Sequence, residues 1–404
     1  MPKISQYPSD SAPDPADLVP IVDVTAGATE KVTIADLAAS SAFAAQYAPP
    51  TVTFAGIGDA VVCTDGAMTS GSAVLTSASA QFLPSHVGKS ISVGQALTGN
   101  YDLRTTVASY QSATQVTLTA SATRTVTGAG VLVGTDSGPA MQAALDAVAA
   151  AGGGSIYVPP GRYVLWTASA ENFGATQLPG VRLYGRSSAS IIHIQTGNAT
   201  NAISFSNADS VIVEQLVFAG NSQANQDASC SLSFNAVSMA TVRNVQFYGL
   251  STGSRALDSP NRGVIEAPDS DLMIDRCQFH GCTGSSGIGS AVISLATNRG
   301  FRASNCDWRD FGNFRGDYYA KSLASPTAWI ELRSVANGTL NDAYNDQSVF
   351  RLTDCRFDEG GFYSVWVHPS AGTVQHVVID GIYANISAAG SSRGLFIQGA
   401  TNVV

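Results

Sequence analysis

The sequence predicts an all-β chain built mainly as a parallel β-helix, a solenoid whose coils stack like rungs. Three observations predict it. A six-residue pattern, apolar-x-polar-apolar-x-aromatic, recurs as VRNVQF at 242–247, IDRCQF at 274–279, ASNCDW at 303–308 and LTDCRF at 352–357. Looser copies are VEQLVF at 213–218 and IDGIYA at 379–384. The copies start 29, 32, 29, 49 and 27 residues apart, and periods of about 20–50 residues mark solenoids or arrays. Finally, charged residues make up only 13% of the 404-residue chain, against about 25% in a typical soluble domain. Helical bundles need more Glu, Lys and Arg on their outer faces than this. The runs are short, β-branched and punctuated by Asn and Gly, without a 3.6-residue period.

Residues 1–50 read as an arm. DLVPIVD (17–23) and EKVTIADL (30–37) are strand-like runs joined through Gly27 as a plausible hairpin, and ADLAASSAFAA favours a short helix. So little apolar surface does not fold alone, so the arm is expected to dock onto something else. MPKISQYP…DLVPIVD…KVTIADL resembles the N-terminal arm of many bacteriophage tail proteins. That resemblance implies attachment to the virion through phage tail or adaptor proteins.

Residues 51–134 contain TVTFAGI, SAVLTSAS, KSISVGQ, TQVTLTAS and TVTGAGVLVG. Alternation broken by turn residues about every ten positions predicts a small antiparallel β domain. It resembles the β module that precedes the main domain in some phage tailspikes, and reads as an orienting spacer.

The third region, 135–404, opens on GTDSGPAMQAALDAVAAAGGGSIYVPPGRYVL, 134–165. Asp136 or Ser137 is suited to cap a helix, Pro139 is tolerated in a first turn, and Met141, Leu145 and Val148 share one face. Gly152 to Gly154 end the helix, and a strand, a Pro-Gly turn and a strand follow. The segment is similar to the entry of the pectate-lyase-like right-handed β-helix superfamily, with Ser137 where the common form has a second Asp. The resemblance implies a helix capping the open end of a right-handed solenoid.

Stacking on successive coils gives each slot of the repeat a physical role. Val245, Cys277, Cys306 and Cys355 form one inward column, in which a thiol packs like a small apolar group. Phe218, Phe247, Phe279, Trp308 and Phe357 form an aromatic stack. Asn244, Asn305 and Asp354 mark a bend, because Asn and Asp tolerate left-handed backbone. LYG at 183–185 is an earlier, degenerate coil. The 49-residue interval leaves two readings: one coil with a long loop, or WIELR at 329–333 as an extra coil strand. The last run, GLFIQGATNVV, reads as a strand with no cap beyond it, so a missing cap is expected.

The totals exclude several functions. A net charge of −9 without a Lys/Arg cluster argues against nucleic acid. No apolar run is long enough to span a membrane, and MPKISQYPSD lacks the apolar core of a Sec leader. Six cysteines are too sparse for a disulfide scaffold. His86, His193, His280, His368 and His376 lack ligand spacing, so neither a metal nor another cofactor is expected.

Registering Trp308 on Phe357 aligns Asp310 with Glu359. If the interval is a loop, their strands are ~4.8 Å apart, near the ~5–5.5 Å carboxyl spacing of retaining glycosidases. If WIELR is a coil, they are two rungs apart with Glu331 between them, nearer inverting geometry. Close carboxylates push one pKa up, as a general acid requires. Asp310, Glu331, Glu359 and Asp317 are therefore the catalytic candidates, set against a role as solvated turn residues. Tyr318, Tyr319, Trp329 and Tyr363, with Arg315, are the candidates for holding a sugar, whose flat face stacks on rings.

The resemblance implies a tailspike or tail-fibre subunit, a homotrimer located in the virion tail after synthesis in the host cytoplasm. It would bind a host surface polysaccharide, either lipopolysaccharide or capsule, and whether it also cleaves that polymer as a depolymerase is left open by the sequence. The alternatives are an adhesive fibre without catalysis and a free polysaccharide lyase or hydrolase.

Overall fold

A computed structural model describes residues 18–23, 28–33, 50–99, 101–173, 180–196, 201–220, 231–250, 264–268, 270–282, 290–296, 300–309, 327–333, 349–358, 363–367, 374–385, 393–397 and 400–403. The chain divides into two units, Met1–Pro50 and Thr51–Val404. In the first, Leu18–Asp23 and Ala28–Thr33 pair antiparallel, with Leu18 opposite Thr33. The expected helix at 35–45 lies outside the described residues.

In the second unit the repeat folds as a parallel β-solenoid with three sheets, of ten, eight and eight strands. Each coil contributes one strand to each sheet. One complete coil runs Met239–Arg243 in the first sheet, Gln246–Tyr248 in the second, and Ile265–Glu266 in the third. The strands are in register: Val213, Val242, Ile274, Ala303 and Leu352 are successive partners, and all are buried.

The bend between the first and second sheets explains the polar slot. Gln215, Asn244, Arg276, Asn305, Asp354 and Gly381 occupy it in successive coils, with φ of 55°, 52°, 51°, 53°, 50° and 62°. A left-handed residue turns the chain sharply enough to start the next sheet, and Asn, Asp and Gly accept that conformation most readily. The next slot points inward. Val245, Cys277, Cys306 and Cys355 are all buried, and the three cysteines are free thiols. The Cys277 Sγ donates to the Val242 carbonyl one rung below at 3.4 Å.

Aromatic rings fill the core behind the second sheet. Phe218, Phe247, Phe279, Trp308 and Phe357 stack in sequence, with centroids 5.5, 4.7, 5.3 and 4.6 Å apart and planes within 16° of parallel. Such pairs contribute about 0.5–1.5 kcal/mol each beyond the area they bury. A second stack, Phe173–Phe205–Phe234, lies behind the third sheet.

The open end of the solenoid is covered by the helix Gly138–Ala150, which buries Met141, Leu145 and Val148. The Asp136 carboxylate accepts from the amides of Gly138 and Trp166, each at 2.9 Å, so Asp136 rather than Ser137 satisfies the helix start. From the helix, the Gln142 amide group accepts from Ala170 N and donates to Ala170 O, at 2.8 and 2.9 Å. It thereby satisfies an edge strand that has no neighbouring coil.

The small domain is a closed antiparallel barrel of six strands between Val61 and Gly134. One expectation changes here. The run at 51–57 does not enter the barrel; Thr51–Thr53 pairs parallel with Gly154–Tyr157 as the outermost strand of the first solenoid sheet. Phe54, next to it, packs edge-on against Tyr163 in the solenoid core at 4.9 Å. The barrel strand Val61–Met68, which Asp65 and Gly66 interrupt, closes the barrel against Val126–Gly134 instead.

Candidate functional site: a polar face on the second sheet

The aromatic stack fixes what faces outward. Phe247, Phe279 and Trp308 point into the core, so strand alternation turns the residues on either side of them outward. One outward column runs Gln246, Gln278, Asp307, Arg356 and Tyr383; the other runs Tyr248, His280 and Arg309. Three successive coils, those of Gln246, Gln278 and Asp307, therefore present two polar side chains each, and successive pairs are ~4.8 Å apart.

These side chains are held by one another. Arg309 forms an ion pair with Asp307, two residues back on the same strand. The His280 and Tyr248 rings meet in a T-shaped pair with centroids 5.2 Å apart. The Arg356 guanidinium lies 5.2 Å from the centroid of the Tyr383 ring, which is 56% exposed. Gln246, Tyr248, Gln278, His280, Asp307 and Arg309 are all half-buried, so their rotamers are restricted before any ligand arrives. Burial pushes the Tyr248 phenol up from its ordinary value and keeps it a neutral donor. The Asp307 Oδ1 is buried without a hydrogen-bond partner beside the Arg309 guanidinium.

Paired donors and acceptors beside aromatic faces suit a molecule rich in vicinal hydroxyls. Among the described residues, no group of three or more His, Cys, Asp or Glu side chains is placed to hold a metal ion.

The catalytic candidates divide. Asp310, Asp317 and Glu359 lie outside the described residues, as do Arg315, Tyr318 and Tyr319. Trp329 and Glu331 lie on Thr327–Arg333, and Tyr363 on Tyr363–Val367. WIELR is not an extra coil: it is the third-sheet side of the same coil that carries Gly300–Ser304 and Asp307–Arg309. Asp307–Trp308 pairs directly with Arg356–Phe357, so the strands preceding Asp310 and Glu359 are one rung apart. Glu331 is on a different sheet from the strands that precede Asp310 and Glu359, so WIELR is not a rung between those strands. Its register partners are Ser294 and, one rung further, Glu266; Trp366 lies on the other side.

Sequence reasoning missed the outward columns. Their signal was the polar–aromatic–polar triplet, QFY, QFH, DWR and RFD, repeated once per coil. Attention to the aromatic in each triplet hid the two residues flanking it.

No protein-family model matches the sequence, and no curated protein matches it. Several solved structures are similar to the chain at low identity. The Agl-KA catalytic domain is 12% identical, with 81% of this chain and 73% of that one covered and a TM-score of 0.32. The Pseudomonas phage phi297 tailspike gp61 is 14% identical, with coverages of 83% and 66% and a TM-score of 0.24. The gp54 tailspike of Acinetobacter baumannii bacteriophage AP22, solved with A. baumannii capsular saccharide, is 10% identical, with coverages of 87% and 65% and a TM-score of 0.19.

Proposed function

We propose that this chain is a phage tailspike subunit whose second-sheet face binds an extended polysaccharide of a bacterial host surface. One observation carries the reading: two outward columns of sugar-compatible side chains stand in register, one from Gln246 to Tyr383 and the other from Tyr248 to Arg309. A ligand that is itself a linear repeat can meet such a face over several coils at once. Arg309 with Asp307, and His280 with Gln278, offer donors and acceptors to adjacent hydroxyls, while the exposed Tyr383 offers a stacking surface.

The role in the virion rests on the sequence of residues 1–50, which resembles phage tail attachment arms, and a homotrimer belongs to the same reading. Cleavage would fall to Asp310, Asp317 and Glu359, beside this face in sequence, with Glu331 on the neighbouring sheet.

The alternative is a chain that binds the polysaccharide without cleaving it.

The test is to incubate the full chain with lipopolysaccharide or capsular polysaccharide from candidate hosts, measuring retention and polymer length separately. Retention with shortened polymer that becomes full-length in an Asp310→Asn, Asp317→Asn, Glu359→Gln variant supports a depolymerase. Retention with unchanged length supports the binder, and absence of retention on every polysaccharide rejects the proposal.

A further inference from the structure

The barrel and the solenoid meet across a joint that is polar as well as apolar. Leu132 and Ala60 of the barrel side pack on Val164 and Trp166 of the solenoid. The Trp166 indole donates to the Gly134 carbonyl at 3.3 Å. Alongside, the barrel's Arg104 donates to Gln195 Oε1 at 3.2 Å. His193 sits between these contacts: it is the register partner of Val164 and stands two residues before Gln195 on the same outward face.

His193 is only 7% exposed, and its Nε2 has no hydrogen-bond partner. Gln195 Nε2 and Ser92 Oγ, the latter opposite Arg104 in the barrel, are likewise buried without partners. A joint with this many unmet polar groups sits near the limit of what packing sustains.

We propose that His193 makes this joint acid-sensitive, so that its protonation loosens the barrel from the solenoid while the stacked coils stay folded. A neighbouring charge disfavours an imidazolium: Arg162 is on the adjacent strand. The barrel's Arg104 is held on Gln195. The carboxylates of the packed elements are already committed. Asp102 accepts from Gln95 N, Asp59 pairs with Lys89 and Thr135, and Asp136 holds the start of the helix and Trp166 N. Burial, followed by the Arg162 charge, lowers the His193 pKa to about 4. A free imidazole titrates near 6.5, so opening becomes easier as pH falls from about 6.5 towards 4. The inference does not depend on what the second-sheet face binds.

The test is hydrogen exchange on the full chain at pH 7 and pH 4, corrected for the intrinsic pH dependence of exchange. Amides at the joint, such as Gln195 N bonded to Leu165 O, should exchange faster at pH 4 by up to roughly 100-fold. Amides of Gln246–Tyr248 and Gln278–His280 should keep their protection. His193→Gln and His193→Leu should each abolish the acid response. Labelled-imidazole NMR on the wild type gives an independent reading that needs no variant. A His193 ring that titrates near 6.5 in the folded chain, or an acid response retained in either variant, overturns the proposal.

Discussion

Trp308 lies flat on Phe357, with ring centroids 4.6 Å apart and planes 9° from parallel. The two residues are 49 positions apart in the chain, and the stack joins them because they occupy the same slot of adjacent coils. Trp308→Ala should therefore cost about 3–5 kcal/mol, the range for deleting a large buried aromatic. Trp308→Phe should stay within about 1 kcal/mol of wild type. It shortens the ring but removes an indole N–H that is buried without a partner, and leaving such a group unmet costs about 1–3 kcal/mol. Denaturant unfolding of the two variants checks both values.

The bend slot makes a prediction with the opposite sign. Arg276 holds φ of 51° where its counterparts are Asn244, Asn305, Asp354 and Gly381. Left-handed backbone costs an ordinary L-residue about 1–2 kcal/mol, and the ion pair of Arg276 with Asp275 is too exposed to offset it. Arg276→Asn should stabilise the solenoid by about 1 kcal/mol, while Arg276→Val should destabilise it. Thermal unfolding of both variants distinguishes them.

Glu214 is a buried acid between Arg182 and Arg243 on the outer side of the first sheet. Burial alone would raise its pKa, but hydrogen bonds from Arg243 and Arg182 outweigh burial and hold the carboxyl below the usual range. A depressed folded pKa stabilises the fold above the unfolded value of about 4.3, and that contribution disappears as pH falls through the folded value. Glu214→Gln should lower stability by about 2 kcal/mol at pH 7. The gap to wild type should narrow as the acid limb of a pH–stability curve is descended.

The thiol column should be chemically silent. Burial, and then contact with Cys277, push the Cys306 thiol well up; contact with Cys306, and then burial, do the same to Cys355. Burial takes the Cys282 thiol to about 12. The thiolate is the reactive form, so an alkylating agent should label neither column thiol, Cys306 or Cys355, nor Cys282 in native buffer and all three in denaturant. Cys306→Val should cost less than about 1.5 kcal/mol, because Val245 already fills the equivalent slot.

Much of the solenoid was legible because its stacking turns sequence period into contact. The recurring apolar, polar, thiol and aromatic slots each became one continuous column. The barrel was less legible. Strand Val61–Met68 carries Asp65 and Gly66 at its centre, and the Asp65 carboxylate accepts from Ser79 N at 2.8 Å, so a tertiary contact explains what alternation could not. The run at Thr51–Thr53 misled because a three-residue strand has no signature for which sheet it joins; it pairs with Ser155–Tyr157 of the solenoid. Of the candidate site, the repeat gave the adjacency of the strands that precede Asp310 and Glu359, but a period cannot say which sheet WIELR enters. The flanks of the aromatic slot, His280 and Arg309, read as ordinary polar positions until the inward stack gave them a direction.

The most direct measurement is equilibrium binding of the full chain to an array of bacterial surface polysaccharides, comparing wild type with a double Asp307→Ala, Arg309→Ala variant and with Arg351→Ala on the first sheet. The account predicts at least one extended polysaccharide ligand, with Kd weakened by about tenfold or more, about 1.4 kcal/mol, in the double variant and unchanged in Arg351→Ala. Equal binding by all three proteins, or binding by none, contradicts it.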